Sequence, residues 1–258
     1  LGTSGTLTGR SSTLYISQRF DTIIRNGLVY SGEGTQPFTA DIGIRDGRIS
    51  ALGSLGDSAD RLIDVHGLAV SPGFIDLHSH TDTNLLTCPQ GDSRIFQGIT
   101  TEAGGNCGDS PFPAGPYENA DQFFGALNKN KTGINYCSFT GQGSLRSAVI
   151  GNWAAPATDE QIRDMKRLLD RQLSMGSIGL SCGLEYAPGA YASNRELVEL
   201  LKVVAVHDGL FAIHMRNEDD RVEEAISETV DMAKQAGVRL QISHLKAQNP
   251  ANWHKGPA

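Results

Sequence analysis

The hydrophobic and polar positions form one pattern in the first part of the chain and a different pattern in the rest. In the first part, short apolar runs alternate with polar residues as in half-buried strands, and Asn26-Gly27 and Asp46-Gly47 stand between runs as hairpin turns. The segment 20–70 is therefore predicted to be a small antiparallel sheet domain, a partial β-sandwich. Residues 1–19, rich in Ser, Thr and Gly, are predicted to be a disordered tail.

From residue 71 onwards, strands alternate with helices whose apolar residues share one face. The predicted strands are 73–80, 99–103, 134–139, 177–180, 210–213 and 239–243. Two helix starts read as capping boxes, Thr158-Asp159-Glu160-Gln161 and Ser193-Asn194-Arg195-Glu196. Alternation with short links predicts parallel strands joined by crossover helices.

The distribution of polar residues decides between two parallel-sheet folds. No glycine-rich nucleotide fingerprint follows any predicted strand, and polar residues cluster after several strands instead of at one switch point. An open doubly wound sheet is therefore disfavoured. We expect an α/β fold in which residues 71–258 form an incomplete (β/α)8 TIM-type barrel, with six of eight strands.

Composition narrows the function classes. The 258 residues carry a net charge of −7 with Lys and Arg scattered along the chain, so no surface for nucleic acid or an anionic membrane is expected. No apolar run is long enough to span a bilayer and the first residues lack a secretory signal, which predicts a cytoplasmic protein. The four widely spaced cysteines are predicted to be reduced thiols.

Four histidines and a cysteine stand at the carboxyl ends of predicted strands. His78 and His80 follow the first strand, Cys107 the second, His214 the fifth and His244 the sixth. A barrel would bring them to one mouth. Imidazole and thiolate make a good zinc shell, and three protein ligands with one open position is the catalytic arrangement. Because strand residues two apart point to the same side, His78 and His80 are expected to face a metal together.

Five segments of the chain together carry a family resemblance. They read PGFIDLHSH at 72–80, GNCG at 105–108, GLEYAPG at 183–189, HMRNE at 214–218 and SHLK at 243–246. The chain resembles the amidohydrolase superfamily and, within it, the D-aminoacylases, or N-acyl-D-amino-acid deacylases. This resemblance runs from about residue 20 to residue 246.

The resemblance implies a metal-dependent amidohydrolase that acts on non-peptide C–N bonds. Its substrate would be an N-acyl-D-amino acid, whose amide bond is hydrolysed by metal-activated water to a carboxylate and a D-amino acid. The resemblance also implies a tight zinc on Cys107, His214 and His244, and a second, weaker position on His78 and His80.

Two further residues acquire roles from the resemblance. Tyr186 would help to polarise the scissile carbonyl and Lys246 would hold the substrate carboxylate, although Tyr186 also fits a packing residue at a strand end. In the family, an aspartate at the end of strand 8 serves as general base, and the six strands contain no counterpart of it. Asp76 and Asp82 are not convincing substitutes. We therefore expect an amino-terminal portion whose own competence depends on that missing aspartate.

Other readings of the same residues stay open. A cyclic-amide hydrolase, such as a hydantoinase or dihydroorotase, would share the histidine pair but needs a bridging lysine where this chain has Ser181-Cys182-Gly183. A non-catalytic interaction protein on the same scaffold is the third reading. Arg216 and Glu218 fit either a pair that orients metal ligands or a solvated loop pair.

Overall fold

The computed structural model describes residues 19–151 and 154–256. The chain divides into two compact units, Leu1–Pro72 and Gly73–Ala258. The predicted tail lies, up to residue 18, outside the described residues.

The first unit is built on one mixed sheet. Its strands are β1 (Phe20–Val29), β2 (Phe38–Arg45), β3 (Arg48–Gly53), β4 (Ala59–Asp64) and β5 (Ala69–Val70). Strands β3, β2 and β1 pair antiparallel as predicted, but β4 and β5 pair with β1 in parallel. The expectation of a purely antiparallel sheet is therefore wrong. Ile23, Val29 and Ile42 are buried in this unit.

The two predicted hairpin turns have different outcomes. Asp46-Gly47 joins β2 to β3 in a two-residue hairpin, as predicted, with Arg45 paired to Arg48. The prediction of a turn at Asn26-Gly27 is wrong, because this pair lies inside β1 as a bulge that shifts the register between Ile24 and Gly27. Asn26 adopts a φ of 55°, and its backbone and side-chain nitrogens donate to aspartates of two neighbouring segments, each over 3.0 Å. Tertiary hydrogen bonds thus hold it in the strand.

The second unit has parallel strands in chain order. They are β6 (Phe74–Asp76), β7 (Ile99–Gly104), β8 (Asn135–Ser138), β9 (Thr140–Gly141), β10 (Gly179–Gly183), β11 (Leu210–His214) and β12 (Arg239–Ile242). They pair as β6-β7-β8 and as β9-β10-β11-β12. Only Phe139 separates β8 from β9, so one stretch of chain contributes to both sheets. The α/β class is confirmed, since sequential parallel strands are linked by helices.

The helices of this unit cover the parallel strands. They are α1 (Asn84–Thr87), α2 (Asp92–Ile95), α3 (Ala120–Asn130), α4 (Gln142–Val149), α5 (Asp159–Ser174), α6 (Asn194–Val206) and α7 (Val222–Ala236), with short 3-10 turns at Gly189–Tyr191 and Pro250–Lys255. In the described part of the chain, no helix has the length and apolar character needed to cross a membrane. The main core lies between these helices and β10–β11, and it includes Met165, Leu180, Leu200 and Phe211.

One of the two predicted capping boxes forms in full. The predicted box at α5 is confirmed, because Thr158 accepts from the Gln161 backbone and the Gln161 side chain accepts from the Thr158 backbone. At α6 only half of the predicted box forms. Ser193 accepts from the Glu196 backbone, but the Glu196 side chain turns inward to the buried guanidinium of Arg146.

Candidate metal centre

The candidate ligands lie where strands end. His214 is the last residue of β11, His244 comes two residues after β12, and Cys107 comes three residues after β7. Gly183 at the end of β10 pairs with His214, so the neighbouring strands end at the same level. Parallel strands present their carboxyl ends at one edge, which gathers these side chains there.

A first group of donor atoms forms around the buried thiol of Cys107. Its Sγ lies 3.5 Å from Nε2 of His78 and 3.7 Å from Nε2 of His244. The rings of His78 and His244 meet edge to face, with centroids 5.0 Å apart. Together the three residues bring one sulfur and two nitrogens within 4.8 Å of one another.

A second group consists of His214, Glu218 and His244, so it shares His244 with the first group but does not include Cys107. Nδ1 of His214 lies 3.1 Å from Nε2 of His244. The other nitrogen of each ring meets a carboxylate, since His214 Nε2 lies 2.9 Å from Glu185 and His244 Nδ1 lies 2.8 Å from Glu218. Glu218 itself is fully buried.

The donor set fits zinc. Ligand atoms that bind a tetrahedral zinc at about 2.0–2.3 Å stand about 3.3–3.7 Å from one another, close to the separations around Cys107 and His244. The buried Nδ1 of His78 has no hydrogen-bond partner among the described residues. Nδ1 of His214 and Nε2 of His244 lie 3.1 Å apart, and two such nitrogens would repel if both were unprotonated with no cation or proton between them. Sulfur and imidazole are the ligands that zinc prefers in proteins.

The structure corrects the geometry predicted for the histidine pair. Strand β6 ends at Asp76, so His78 and His80 lie in the loop that follows and not in an extended strand. The strand ends because Asp76 accepts from the His78 backbone and the Ser79 hydroxyl accepts from the Thr81 backbone. The two rings lie edge to face at 5.1 Å, and His80 is exposed and belongs to neither donor group of the described residues.

Burial sets the electrostatics of the centre. Burial and the neighbouring imidazoles of His244 and His80 lower the pKa of His78 to about 4, so its ring is neutral at pH 7. Burial raises the pKa of the Cys107 thiol. Burial also acts to raise the pKa of Glu218, but hydrogen bonding from Lys246 and the nearby imidazoles outweigh it and leave that pKa below its ordinary value.

Tyr186 and Lys246 both reach this centre. The Tyr186 hydroxyl donates to the Cys107 carbonyl oxygen over 2.8 Å, and its ring lies 5.2 Å from that of His214. The Lys246 ammonium donates to Glu218. A cavity of about 320 Å³ opens beside Cys107 and Tyr186, with Asp109, Ser144 and several glycines in its wall.

Sequence reasoning gave no role to Glu185 and left that of Glu218 open. The structure separates the predicted pair, because Glu218 joins the metal centre while Arg216 binds Glu228 and two backbone carbonyls instead. Glu218 stands four residues after His214, a spacing visible in the sequence. Nothing local, however, indicated that its side chain would be buried against His244.

Comparisons with known proteins find similarity to amidohydrolases. A protein-family model described as "Amidohydrolase family" matches residues 61–180 of this chain. The D-aminoacylase of Alcaligenes xylosoxydans xylosoxydans is 35% identical over 255 residues, covering 92% of this chain and 53% of that protein. This chain is similar to amidohydrolases along most of its length. The resemblance drawn from the sequence is thereby confirmed.

Other amidohydrolases support the assignment. The N-acyl-D-glutamate deacylase of the same organism is 36% identical over 260 residues, covering 94% of this chain and 53% of that protein. The crystal structure of N-acyl-D-glutamate deacylase from Bordetella bronchiseptica, complexed with zinc and a phosphonate inhibitor, has a TM-score of 0.90 and 35% identity. That alignment covers 93% of this chain and 54% of the other. The chain thus spans about half the length of the relatives that it matches.

Proposed function

We propose that this chain carries the metal centre of a zinc-dependent deacylase, which hydrolyses the amide bond of N-acyl-D-amino acids to a carboxylate and a D-amino acid. The observation that supports it best is that the Cys107 sulfur meets the imidazoles of His78 and His244, while His214 joins the centre through His244. Cys107, His214 and His244 would hold the tight zinc, with a weaker second position on His78 and His80. Zinc bound there would polarise the amide carbonyl and lower the pKa of a bound water.

The chain's own residues would bind and orient the substrate. Lys246 has three N–H donors, so it can keep its bond to Glu218 and still offer a donor to the substrate carboxylate. Tyr186 stands at the wall between the cavity and His214, where its hydroxyl could turn from the Cys107 carbonyl to the scissile carbonyl. The cavity offers room for one arm of the substrate.

The surrounding architecture belongs to the same proposal. The parallel strands from β6 to β12, with β8 and β9 counted as one interrupted strand, would be six of the eight strands of a TIM-type barrel. Residues 20–70 would form the partial sandwich domain and residues 71–258 the hydrolase barrel. A cytoplasmic location, and the lack of nucleic-acid or membrane partners, stay predictions.

The general base is assigned to neither nearby aspartate. Asp76 accepts from the His78 backbone, while Asp82 accepts from the Tyr136 hydroxyl over 2.7 Å and from the Gly105 backbone over 2.8 Å. Both carboxylates are thus occupied in holding loops.

The cyclic-amide alternative needs a lysine that bridges two metals. At the end of β10 the corresponding residue types are serine, cysteine and glycine. The Ser181 hydroxyl there is hydrogen-bonded to the backbone of Gly105 and Gly108. These hydrogen bonds give Ser181 a structural role. They favour the deacylase over the cyclic-amide hydrolase.

Metal analysis tests the proposal first. The purified 258-residue chain should retain about one zinc, and Cys107→Ser should lose it, because the thiolate is a principal ligand. Cys88→Ser, at an exposed cysteine, is the matched control and should keep its zinc. Equal zinc in Cys107→Ser would remove the assigned role.

Activity is tested on the purified 258-residue chain and on any longer natural product that contains it. Release of free amino acid from N-acyl-D-amino acids, but not from the L-isomers or from hydantoins, is the expected result. Hydrolysis of hydantoins would favour the cyclic-amide alternative, and a zinc-loaded protein inert on all three would favour the interaction protein.

A further inference from the structure

Each of the two paired imidazoles at the centre has a carboxylate on its outer nitrogen. His214 presents Nδ1 to the centre and Nε2 to Glu185, over 2.9 Å. His244 does the reverse, with Nε2 toward Cys107 and His214 and Nδ1 toward Glu218, over 2.8 Å. A neutral imidazole carries its proton on one nitrogen only. The outer partner therefore decides which nitrogen has a free lone pair.

The hydrogen bonds of Glu218 show where the proton of His244 lies. One oxygen, Oε2, already accepts from Lys246 and, over 3.0 Å, from the Gln248 amide. The other, Oε1, is buried, has no hydrogen-bond partner among the described residues, and lies 2.8 Å from Nδ1 of His244. Because a buried carboxylate oxygen without a donor is costly, the protonated Nδ1 is favoured. Nε2 is then unprotonated and faces the thiol.

We propose that Glu218 and Glu185 are positioning residues that fix the tautomers of His244 and His214, so that the unprotonated nitrogens of both rings face one another where a cation would bind. This inference rests on the proposed metal-dependent function. Glu218 has a second task, because the same carboxylate holds the Lys246 ammonium. One buried side chain thereby links a metal ligand to the group assigned to the substrate carboxylate.

The side chains of Glu218 and Glu185 differ in burial, and this difference predicts which of them matters more for zinc binding. Glu218 is fully buried, whereas the Glu185 side chain is 36% exposed. Water can replace an exposed hydrogen-bond acceptor but not a buried one. Losing Glu218 should therefore weaken zinc binding more than losing Glu185 does.

A competing arrangement uses the same atoms. Nζ of Lys246 lies 3.2 Å from Nδ1 of His244 and could donate to it. The proton of His244 would then sit on Nε2, facing the thiol and blocking the metal. The two tautomers give different ring-nitrogen chemical shifts, so they can be told apart directly.

The first measurement is nitrogen NMR of the metal-free, histidine-labelled 258-residue chain. The expected signals are a protonated Nδ1 for His244 and a protonated Nε2 for His214, with at most one proton shared between the two facing nitrogens. An unprotonated Nδ1 at His244 would overturn the inference about Glu218. This readout does not depend on zinc or on activity, so it stands even if the proposed function fails.

The second measurement is the zinc dissociation constant of matched variants. Glu218→Met removes the acceptor at nearly constant volume and should weaken zinc binding by about 10–100-fold. Glu218→Gln keeps one acceptor oxygen and should recover part of this loss. Glu185→Met should have the smaller effect. Glu160→Gln, at an exposed carboxylate in the first turn of α5, is the control and should leave zinc binding unchanged.

The outcomes separate the two hypotheses. If the wild-type chain binds no zinc, the proposed function fails and the NMR result alone decides the inference. If the wild type binds zinc and Glu218→Met binds it equally well with the same tautomers, the positioning role is refuted. Far-UV circular dichroism identifies any variant that is unfolded.

Discussion

Replacing Gly183 with alanine should disturb the candidate metal centre through a single methyl group. A Cβ at this position would lie 2.5 Å from Cζ of Tyr186, and closer still to the Tyr186 hydroxyl and the Cys107 carbonyl oxygen. Non-bonded carbon atoms settle at about 3.5–4.0 Å, so something must move by about 1 Å. The tyrosine ring can swing away, but the Cys107 carbonyl belongs to a loop whose next N–H is held by Ser181.

The expected loss in free energy of unfolding follows from the two contacts of Gly183→Ala that are lost or strained. An extra methyl in a packed site costs about 1–3 kcal/mol. The Tyr186–Cys107 hydrogen bond contributes a further 0.5–1.5 kcal/mol, roughly, if it breaks. We expect Gly183→Ala to lower the free energy of unfolding by about 2–3 kcal/mol. If about 1 kcal/mol of this strain persists in the metal-bound state, the zinc dissociation constant rises about fivefold.

Urea unfolding followed by far-UV circular dichroism, together with a zinc titration, measures both effects. Gly125→Ala in α3 is the matched control, because nothing lies within 4 Å of its added Cβ. It should stabilise the chain by about 0.5–1 kcal/mol, since glycine disfavours a helix interior. A Gly183→Ala variant within about 0.5 kcal/mol of wild type, with unchanged zinc affinity, would show that this close approach is not tight.

Other parts of the molecule give independent tests. Hydrogen bonds from two lysines lower the pKa of Glu199 from 4.5 to about 2, so Glu199→Gln should be less stable than wild type in urea unfolding at pH 7, and the difference should shrink as pH falls below 4.5. Arg146→Met leaves the carboxylate of Glu196 buried and unpaired and should cost about 3–5 kcal/mol in the same assay. In the native chain, the exposed Cys88 should react with a thiol reagent, whereas burial protects Cys182 and raises its pKa, as alkylation followed by mass spectrometry can show.

Each of these three predictions has an outcome that would contradict it. A constant difference between Glu199→Gln and wild type from pH 7 to pH 3 would mean that the lysine contacts do not lower that pKa. Adding Glu196→Gln to Arg146→Met should restore most of the lost stability, because the buried charge disappears, and no recovery would place the loss in packing. Equal labelling rates at Cys88 and Cys182 would show that the β10 region opens readily.

The parts of the fold that were predictable from sequence are governed by local interactions. The capping box at Thr158 satisfies backbone donors within one helical turn, so four consecutive residues suffice to identify it. The strand that ends at His214 was recognised because a short apolar run stops at a polar residue. The placement of histidines after strands then followed from the parallel topology alone.

The parts that were missed depend on contacts between distant residues. Asn26-Gly27 has the local signature of a turn, yet aspartates 15 and 38 residues away hold Asn26 within a strand. The role of Glu218 likewise depends on Lys246 and Gln248, which lie 28 and 30 residues further along. No periodicity or motif encodes such pairings, because they arise only when the strand ends are brought together.

The backbone gives an independent reason to place the centre at Cys107 and His244. Eight non-glycine residues in the described chain have a positive φ. Five are Asn or Asp, which tolerate this region, and Lys131 forms the left-handed cap of α3. The other two are Cys107 at 54° and His244 at 35°, the pair whose Sγ and Nε2 lie 3.7 Å apart. Such conformations cost about 1–3 kcal/mol each and persist where the surrounding structure imposes them, often at functional sites. A positive φ and the donor-atom geometry thus coincide at Cys107 and His244.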